Sequence, residues 1–358
     1  MDIKENVEVV QGGKTNVIMD SQILTALMTC PRLADFRFNH RLQPQGGKSN
    51  SLEVGSIAHK WLEVFNKSLI AGLPRAQAIQ FGFSAAELYI RGCKECTGFE
   101  PINCDVCDGK GMIYHDSVAD NMVLDEKVCD ECDGTGKISK PKCGHPANEY
   151  PGVVNTPKDS AGNLIGWQYA LDTMEQYQKF YINDPWVPLE VEIVKGETLY
   201  EDDEIRILWK AKLDEVVDTN QGIFPMDHKT MKQRRDTNSN NNQFIGQCIL
   251  QKTRSVIINK IGWQTTLKPE EKFTRVFIPY TPQRMMEWQS EILPYYAKLM
   301  IMYSESGYFP PNFSSCEGKY GNCNFYRDVC STNPDMREEN IRLNFIVGPE
   351  WNPTNEED

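Results

Sequence analysis

Two aspartates and a lysine in the second half of the chain have the spacing of a divalent-metal site. Asp227 and Lys229 lie two residues apart in an apolar, strand-like segment, and Asp214 ends the preceding strand-like segment, 205–214. Residues two apart in a strand face the same side, so Asp227 and Lys229 should point into one cleft and His228 away from it. Carboxylates on adjacent strands can hold Mg²⁺ or Mn²⁺. Such an ion polarises a phosphate and acidifies a bound water, and an ammonium beside it can stabilise developing charge. The pattern therefore predicts hydrolysis of phosphodiester bonds.

Other residues around this pattern could complete the site. Gly55-x-x-x-His59 lies on a predicted amphipathic helix, and a histidine nitrogen suits Mn²⁺ somewhat better than Mg²⁺. Gln243 follows on the next predicted helix, and Glu192 lies on the preceding strand as a weaker candidate. An Asp-x-Lys pair is common on exposed strands, and a single histidine on a helix is more often structural. The order of all these pieces is what favours the catalytic interpretation.

Four cysteines flank this region. Cys30 stands before it, followed by proline, and Cys316, Cys323 and Cys330 follow it in a loop-like segment. Four thiolates are the usual ligand set of a [4Fe–4S] cluster, which would tie the first helix to the C-terminal segment. A Zn-Cys₄ site and plain buried thiols are the alternatives. Cys248, in an apolar helix, is interpreted as a buried thiol.

A cysteine-rich insert lies between the two halves, over residues 92–147. Its Cys-x-x-Cys turns, two of them followed by Gly-x-Gly, offer thiolate pairs at the separation that tetrahedral zinc requires, with glycines that permit the tight backbone. The candidate zinc ligands are Cys93, Cys96, Cys104, Cys107, Cys129, Cys132, Cys143 and His145. Zinc would stabilise this core-poor segment, by on the order of 10 kcal/mol per site.

Composition bounds the class of protein. The chain has 358 residues, 40% of them hydrophobic, which suffices for a real core and allows two domains. A net charge of −12 argues against a generally basic nucleic-acid coat, although a local basic lining stays possible. Neither a signal peptide nor a run of about 18 apolar residues is evident, so no membrane span is expected. Twelve cysteines without an export signal favour metal ligation in a reducing cytoplasm, the host's if the protein is viral.

The predicted elements alternate between helix and strand. Ser21 is expected to cap a first helix that ends near Cys30-Pro31, after a loosely ordered lead-in, 1–18, that could hold one strand. Helices are predicted at about 52–71, 75–91, 166–182, 242–254 and 281–304, and strands at 187–195, 204–217, 222–230, 255–263 and 273–280. Residues 41–51 are expected to form a polar loop rich in glycine and proline, and the tail 333–358 is expected to be partly disordered. Lys232, Arg234 and Arg235 form a basic run after the site, either a phosphate-neutralising loop or a solvated one.

These motifs together resemble the RecB-type branch of the PD-(D/E)XK nucleases, which includes the AddB nuclease module, CRISPR-adaptation nucleases and phage exonucleases. The family's Gly-x-x-x-His is matched at Gly55 and His59, and its Asp/Glu-x-Lys at Asp227 and Lys229. Its Gly-x-x-Asp is matched by 211–214 with alanine for glycine, and its Gln-x-x-x-Tyr by 243–247 with glutamine for tyrosine. The opening 21–36 is also similar. The resemblance covers about 21–70 and 186–330.

The resemblance implies the roles of these residues. His59, Asp214 and Asp227 would bind the metal, Lys229 would be catalytic, and Gln243 would support them. Iron–sulfur members of the family use one early and three late cysteines. The insert resembles the cysteine-rich domain of DnaJ chaperones, which implies one zinc on 104, 107, 129 and 132 and another on 93, 96, 143 and 145. No J-domain is present, so a chaperone function is not expected.

The sequence therefore predicts an α/β protein with a PD-(D/E)XK, restriction-endonuclease-like core, its mixed central sheet flanked by helices, plus a small zinc-binding insert. The predicted divisions are a helical part of the core (1–91), the insert (92–147), the catalytic sheet (148–312), the iron–sulfur segment (313–332) and a polar tail (333–358). We expect a metal-dependent DNA exonuclease acting on single strands or duplex ends, beside protein partners in replication or recombination. The alternatives are a non-catalytic DNA-binding or assembly module of such a complex, and RNA as substrate.

Overall fold

A computed structural model shows how these segments fold. It describes residues 7–9, 14–45, 50–90, 99–103, 112–115, 125–128, 137–141, 167–231, 241–263, 267–318 and 321–348. The chain divides into two compact units, one formed by Met1–Ser49 with Asn183–Asp358 and the other by Asn50–Ile182. The predicted insert, 92–147, falls inside the second unit.

Helices and strands alternate along the chain, as the periodicity predicts. The α-helices are α1 (Ser21–Thr29), α2 (Pro31–Ala34), α3 (Asn50–Ile70), α4 (Arg75–Ile90), α5 (Trp167–Phe180), α6 (Asn242–Leu250), α7 (Pro269–Lys272), α8 (Pro282–Glu287), α9 (Leu293–Ser306) and α10 (Arg337–Asn344). The strands are β1 (Val7–Val9), β2 (Thr15–Met19), β3 (Leu42–Pro44), β4 (Phe99–Asn103), β5 (Met112–His115), β6 (Asp125–Val128), β7 (Lys137–Pro141), β8 (Val187–Glu201), β9 (Ile205–Thr219), β10 (Gly222–Met231), β11 (Ser255–Gly262), β12 (Phe273–Pro279), β13 (Glu317–Gly318), β14 (Gly321–Asn322) and β15 (Phe345–Val347).

The first unit is built on a mixed sheet. Its described strands run in the order β1-β2-β9-β10-β11-β12, and β8 also pairs with β9. The β2/β9 and β10/β11 pairs are parallel and the others antiparallel. Strands β9 and β10 form a hairpin whose tight end is closed by Thr219, which donates from its hydroxyl to the Gly222 carbonyl at 2.9 Å. The sequence prediction of an α/β protein with a mixed central sheet flanked by helices is confirmed.

Helices α1, α6 and α9 cover one face of this sheet. The core between them is centred on two fully buried tryptophans, Trp209 of β9 and Trp288, whose rings meet edge to face with centroids 4.9 Å apart. Cys248 of α6 is completely buried there, and burial raises the pKa of its thiol to about 12. This agrees with the interpretation of Cys248 as a core residue.

The second unit packs three helices together and carries two small sheets. Trp61 of α3 stacks on Phe65 at a centroid distance of 4.7 Å and meets Phe83 of α4 edge-on. Strand β4 pairs antiparallel with β7, and β5 with β6. One antiparallel pair is therefore nested inside the other along the chain. Among the described residues, no helix combines the length and the apolar content that crossing a bilayer requires.

Several expectations about the chain ends were wrong. The N-cap of α1 is Asp20 rather than Ser21, because the Asp20 carboxylate accepts the Ile23 N–H at 2.7 Å. The lead-in contributes two strands, β1 and β2, to the central sheet. Strand β3 lies in the segment 41–51 that was expected to be a loop, and it pairs with β15 of the tail. Residues 349–358 of the tail lie outside the described residues. The errors about strands share one cause: short segments gain order from distant pairing partners.

Candidate metal centre

The β9–β10 hairpin places two of the predicted carboxylates, Asp214 and Asp227, on adjacent strands. Backbone pairing between the two strands ends at Glu215 and Met226, one residue before Asp214 and Asp227. Beyond that point β10 pairs with β11 instead. The Asp214 carboxylate accepts a hydrogen bond from the His228 backbone N–H at 2.8 Å, so a side chain bridges β9 and β10 where their ladder ends.

Asp227 is the most enclosed group of the site. Its side chain is fully buried, and it is bound from two sides. Lys229 Nζ lies 2.7 Å from Oδ2, and Gln243 of α6 donates from Nε2 to Oδ1 at 2.8 Å. The α6 helix is placed for this by its N-cap, since Asn241 Oδ1 accepts the Gln243 N–H at 2.9 Å. The structure therefore brings Asp227, Lys229 and Gln243 together, on the side of β10 that the two-residue spacing indicated.

Lys229 is held as a cation. Burial by itself would lower its pKa, but the carboxylates of Asp227 and Asp214 outweigh burial and raise the pKa above its ordinary value. The side chain is still 42% exposed, so its ammonium can reach a molecule in solution. A lysine with a raised pKa cannot serve as a general base near neutral pH, and its chemistry is that of a fixed positive charge.

Glu192 of β8 adds a third carboxylate. One of its oxygens lies within 4.8 Å of an Asp214 carboxylate oxygen, a separation that one cation could bridge. Its backbone is in the left-handed region, with φ +53°, which is costly for a non-glycine residue in a strand. Lys212 Nζ lies 2.9 Å from the Glu192 carboxylate. The sequence indicated Glu192 only weakly and gave Lys212 no role, because their meeting depends on the β8/β9 register.

The remaining predicted site residues have different outcomes. His59 lies half-buried on α3, in the second unit, and its assignment as a metal ligand stays a prediction. Gln247, where the resembled family has tyrosine, is buried on α6. The basic run of Lys232, Arg234 and Arg235 lies outside the described residues. So do the eight predicted zinc ligands of the insert.

The four flanking cysteines lie in the first unit, where hydrogen bonds join the segment of Cys30 to the segment before Cys316. Cys30 lies in extended backbone just before α2, and its Sγ accepts the Asn312 N–H at 3.2 Å. Thr29 joins the two chain segments, since its carbonyl accepts from Asn312 Nδ2 at 2.9 Å and from the Ser315 hydroxyl at 2.6 Å. Cys323 donates its N–H to the Cys316 carbonyl at 2.7 Å.

The pKa values of two of these thiols respond to the other flanking cysteines. The pKa of Cys316 is raised first by burial and then by Cys323 and Cys30. The pKa of Cys330 is raised first by burial, is lowered by Arg32, and is raised by the other three cysteines. All four are free thiols in the described chain. Binding of a [4Fe–4S] cluster or of zinc by these four thiols stays a prediction.

Comparison with known proteins adds little to this geometry. No protein-family model and no curated protein matches the sequence. A solved structure described as "Crystal structure of SSO0001" overlaps 37% of this chain at 12% identity and a TM-score of 0.25. The overlap spans 57% of that protein's chain, and at this score it supports no assignment.

Proposed function

We propose that this protein is a metal-dependent nuclease of the PD-(D/E)XK type that hydrolyses phosphodiester bonds in DNA. The observation that carries the proposal is the buried Asp227 carboxylate, bound by Lys229 at 2.7 Å and by Gln243 at 2.8 Å. The Asp214 carboxylate accepts a hydrogen bond from the His228 N–H, on the strand that also carries Asp227. This arrangement has the residue types, the order and the hairpin-then-helix topology of the resembled family.

The carboxylates fit a hard cation. Asp214 and Asp227, with Glu192 beside Asp214, offer the oxygen ligands that Mg²⁺ and Mn²⁺ prefer. When bound, the ion would polarise the scissile phosphate and lower the pKa of a water molecule. Gln243 fixes the orientation of the Asp227 carboxylate. The Lys229 ammonium would stabilise the charge that develops on the phosphate oxygens.

A [4Fe–4S] cluster on Cys30, Cys316, Cys323 and Cys330 is the proposed staple of the first unit. The effect of the other flanking cysteines on the pKa values of Cys316 and Cys330 supports it, as does the hydrogen-bonded junction at Thr29. Thiol ligands must lose their protons on binding, so a raised pKa makes assembly less favourable at low pH. The cluster would thus hold the first helices against the segment that follows α9.

Two zinc ions in the insert complete the proposal. The nested strand pairs are consistent with the proposed ligand sets, because Asn103 pairs with Lys137 and Met112 with Val128. Two of the Cys-x-x-Cys segments begin directly after Asn103 and Val128. Nested pairing therefore favours one inner zinc on the two middle motifs and one outer zinc on the first and last.

An end-labelled degradation assay tests the function. Protein purified with its cluster intact should shorten single-stranded or duplex DNA in Mn²⁺ or Mg²⁺ and be inactive in EDTA, and an RNA substrate tests the alternative polymer. Asp227→Ala and Lys229→Ala should each abolish cleavage, whereas Lys298→Ala, which removes an exposed lysine on α9, should not. No degradation of any substrate, or unchanged cleavage by the two site variants, overturns the proposal and leaves a binding or assembly module.

A further inference from the structure

A second polar cluster lies on strands β9, β10 and β11, on the face of the sheet opposite Asp214 and Asp227. His228 Nε2 is 3.2 Å from the Glu215 carboxylate, and His228 Nδ1 is 3.0 Å from Asn259 Nδ2. Glu215 and His228 are each 3% exposed and Asn259 is fully buried. The three residues belong to β9, β10 and β11, and His228 and Asn259 are direct partners in the parallel register. The cluster therefore ties three adjacent strands together.

The cluster interrupts an apolar layer. Residues two apart in a strand share a face. Val217, Met226 and Ile257, each two residues from one member of the cluster, form a buried apolar group on this face. Apolar side chains at 215, 228 and 259 would simply extend that group. Burying charged and hydrogen-bonding groups costs desolvation, and apolar replacement of such groups is often neutral or stabilising. Stability alone thus does not account for this cluster.

The two strands that carry Asp214 and Asp227 each carry a cluster member as well. Glu215 follows Asp214 directly, and His228 follows Asp227, so alternation puts the carboxylates on one face and the cluster on the other. The His228 residue acts on both faces, because its backbone N–H binds Asp214 while its ring binds Glu215 and Asn259. A shift of β9 against β10 would break the ring contacts and separate the two carboxylates together.

We propose that Glu215, His228 and Asn259 are positioning residues, which fix β9, β10 and β11 so that Asp214 and Asp227 keep the spacing needed to bind one divalent ion. This inference rests on the proposed function. It predicts that the cluster can be replaced without loss of fold, but not without loss of metal affinity. A purely structural role predicts that stability falls and that metal affinity does not change on its own.

The test replaces the cluster with apolar residues of similar size. The triple variant Glu215→Leu, His228→Phe, Asn259→Leu should melt at or above the temperature of the unmodified protein. Its affinity for Mn²⁺, measured by calorimetry in the absence of DNA, should fall about 10-fold or more, the usual effect of removing groups that orient metal ligands. Met226→Leu, on the same face, is the matched control and should leave Mn²⁺ affinity unchanged.

A conservative variant keeps the test informative if the triple variant does not fold. Glu215→Gln retains an acceptor for the His228 ring and should keep most of the Mn²⁺ affinity, whereas Glu215→Leu should lose it. Equal Mn²⁺ affinity in Glu215→Leu and the unmodified protein overturns the inference. Equal losses in Glu215→Gln and Glu215→Leu also overturn it. If the unmodified protein binds no Mn²⁺, the proposed function fails first and the inference falls with it.

Discussion

Gln243, in the first turn of α6, donates a hydrogen bond to Asp227 Oδ1 over 2.8 Å. The contact joins the helix layer to the sheet at the one carboxylate of the site that is fully buried. Lys229 approaches the other oxygen of the same carboxylate. Asp227 is therefore oriented by a neutral donor and neutralised by a cation, and each partner can be removed separately.

Removing the neutral donor should weaken metal binding. In Gln243→Leu the buried Asp227 oxygen loses its donor, so the carboxylate is less well oriented. We expect Mn²⁺ affinity to fall about 10-fold, with a parallel loss of cleavage. Calorimetry and the end-labelled assay measure the two effects. Gln289→Leu is the control, because Gln289 donates to the Leu199 carbonyl elsewhere in the unit. Unchanged Mn²⁺ affinity in Gln243→Leu would contradict this role.

Removing the cation should affect the chemical step. Lys229→Gln keeps a polar side chain but loses the charge, and we expect cleavage to slow by about 10²–10³-fold. The raised pKa of Lys229 means that it stays protonated through neutral pH, so no loss of activity around pH 7 should trace to this residue. A pH–rate profile compared with that of Lys229→Arg checks this. If cleavage slows at high pH and Lys229→Arg does not shift this fall to higher pH, the Lys229 ammonium is not the group responsible for it.

Loss of any one of the four flanking cysteines should prevent cluster binding. Cys330→Ser should reduce the iron content well below about four per chain and bleach the visible absorption of the purified protein. Cys248→Ala changes a cysteine that lies in the core, apart from the group, and should leave iron unchanged. Iron and zinc analysis of both variants is the measurement. Zinc in place of iron in the unmodified protein would instead support the Zn-Cys₄ alternative.

Asp20 should make stability depend on pH. Burial raises its pKa from 3.8 to about 7, against the opposing effect of the Ile23 N–H. The folded state therefore binds a proton that the unfolded state has released between these two values, and stability falls as the pH rises through this window. The loss is on the order of 4 kcal/mol when the window is complete. Asp20→Asn keeps a capping oxygen without this ionisation, so its advantage over the unmodified protein should grow from about pH 4 to pH 8.

Urea unfolding at a series of pH values measures the effect of Asp20. Asp20→Ala loses the cap as well and should cost about 1 kcal/mol relative to Asp20→Asn. An Asp20→Asn protein whose stability relative to the unmodified chain does not change with pH would show that the Asp20 carboxylate is ionised throughout.

Gly246 should tolerate no side chain. A Cβ at this position on α6 would lie 2.4 Å from Nε1 of the buried Trp209, so Gly246→Ala forces helix and sheet apart. We expect a loss of about 1–3 kcal/mol, with reduced cleavage because Gln243 lies on the same helix. Gly307→Ala, at a helix end with φ +64° and open space around it, should cost about 1 kcal/mol and leave cleavage unchanged. Thermal melts measure both losses, that of Gly246→Ala from crowding against Trp209 and that of Gly307→Ala from backbone strain.

Local chemistry determined much of the fold from the sequence. The alternation in 222–230 made Asp227 and Lys229 share a face, and the pair Thr281-Pro282 began α8 where expected, with the Thr281 hydroxyl accepting the Arg284 N–H. These features depend on neighbouring residues, whose preferences survive in any context. The same reasoning correctly identified Cys248 as a buried thiol.

Tertiary structure decided which distant segments meet. Glu192 approaches Asp214 because β8 pairs with β9, and His228 meets Asn259 because β11 lies parallel to β10. The ends of the chain became strands for the same reason, since β2 gains its hydrogen bonds from β9 and β15 from β3. Residue types and periodicity specify what a segment can form and which face it presents. Strand order and register are set by packing over the whole sheet, and no local pattern encodes them.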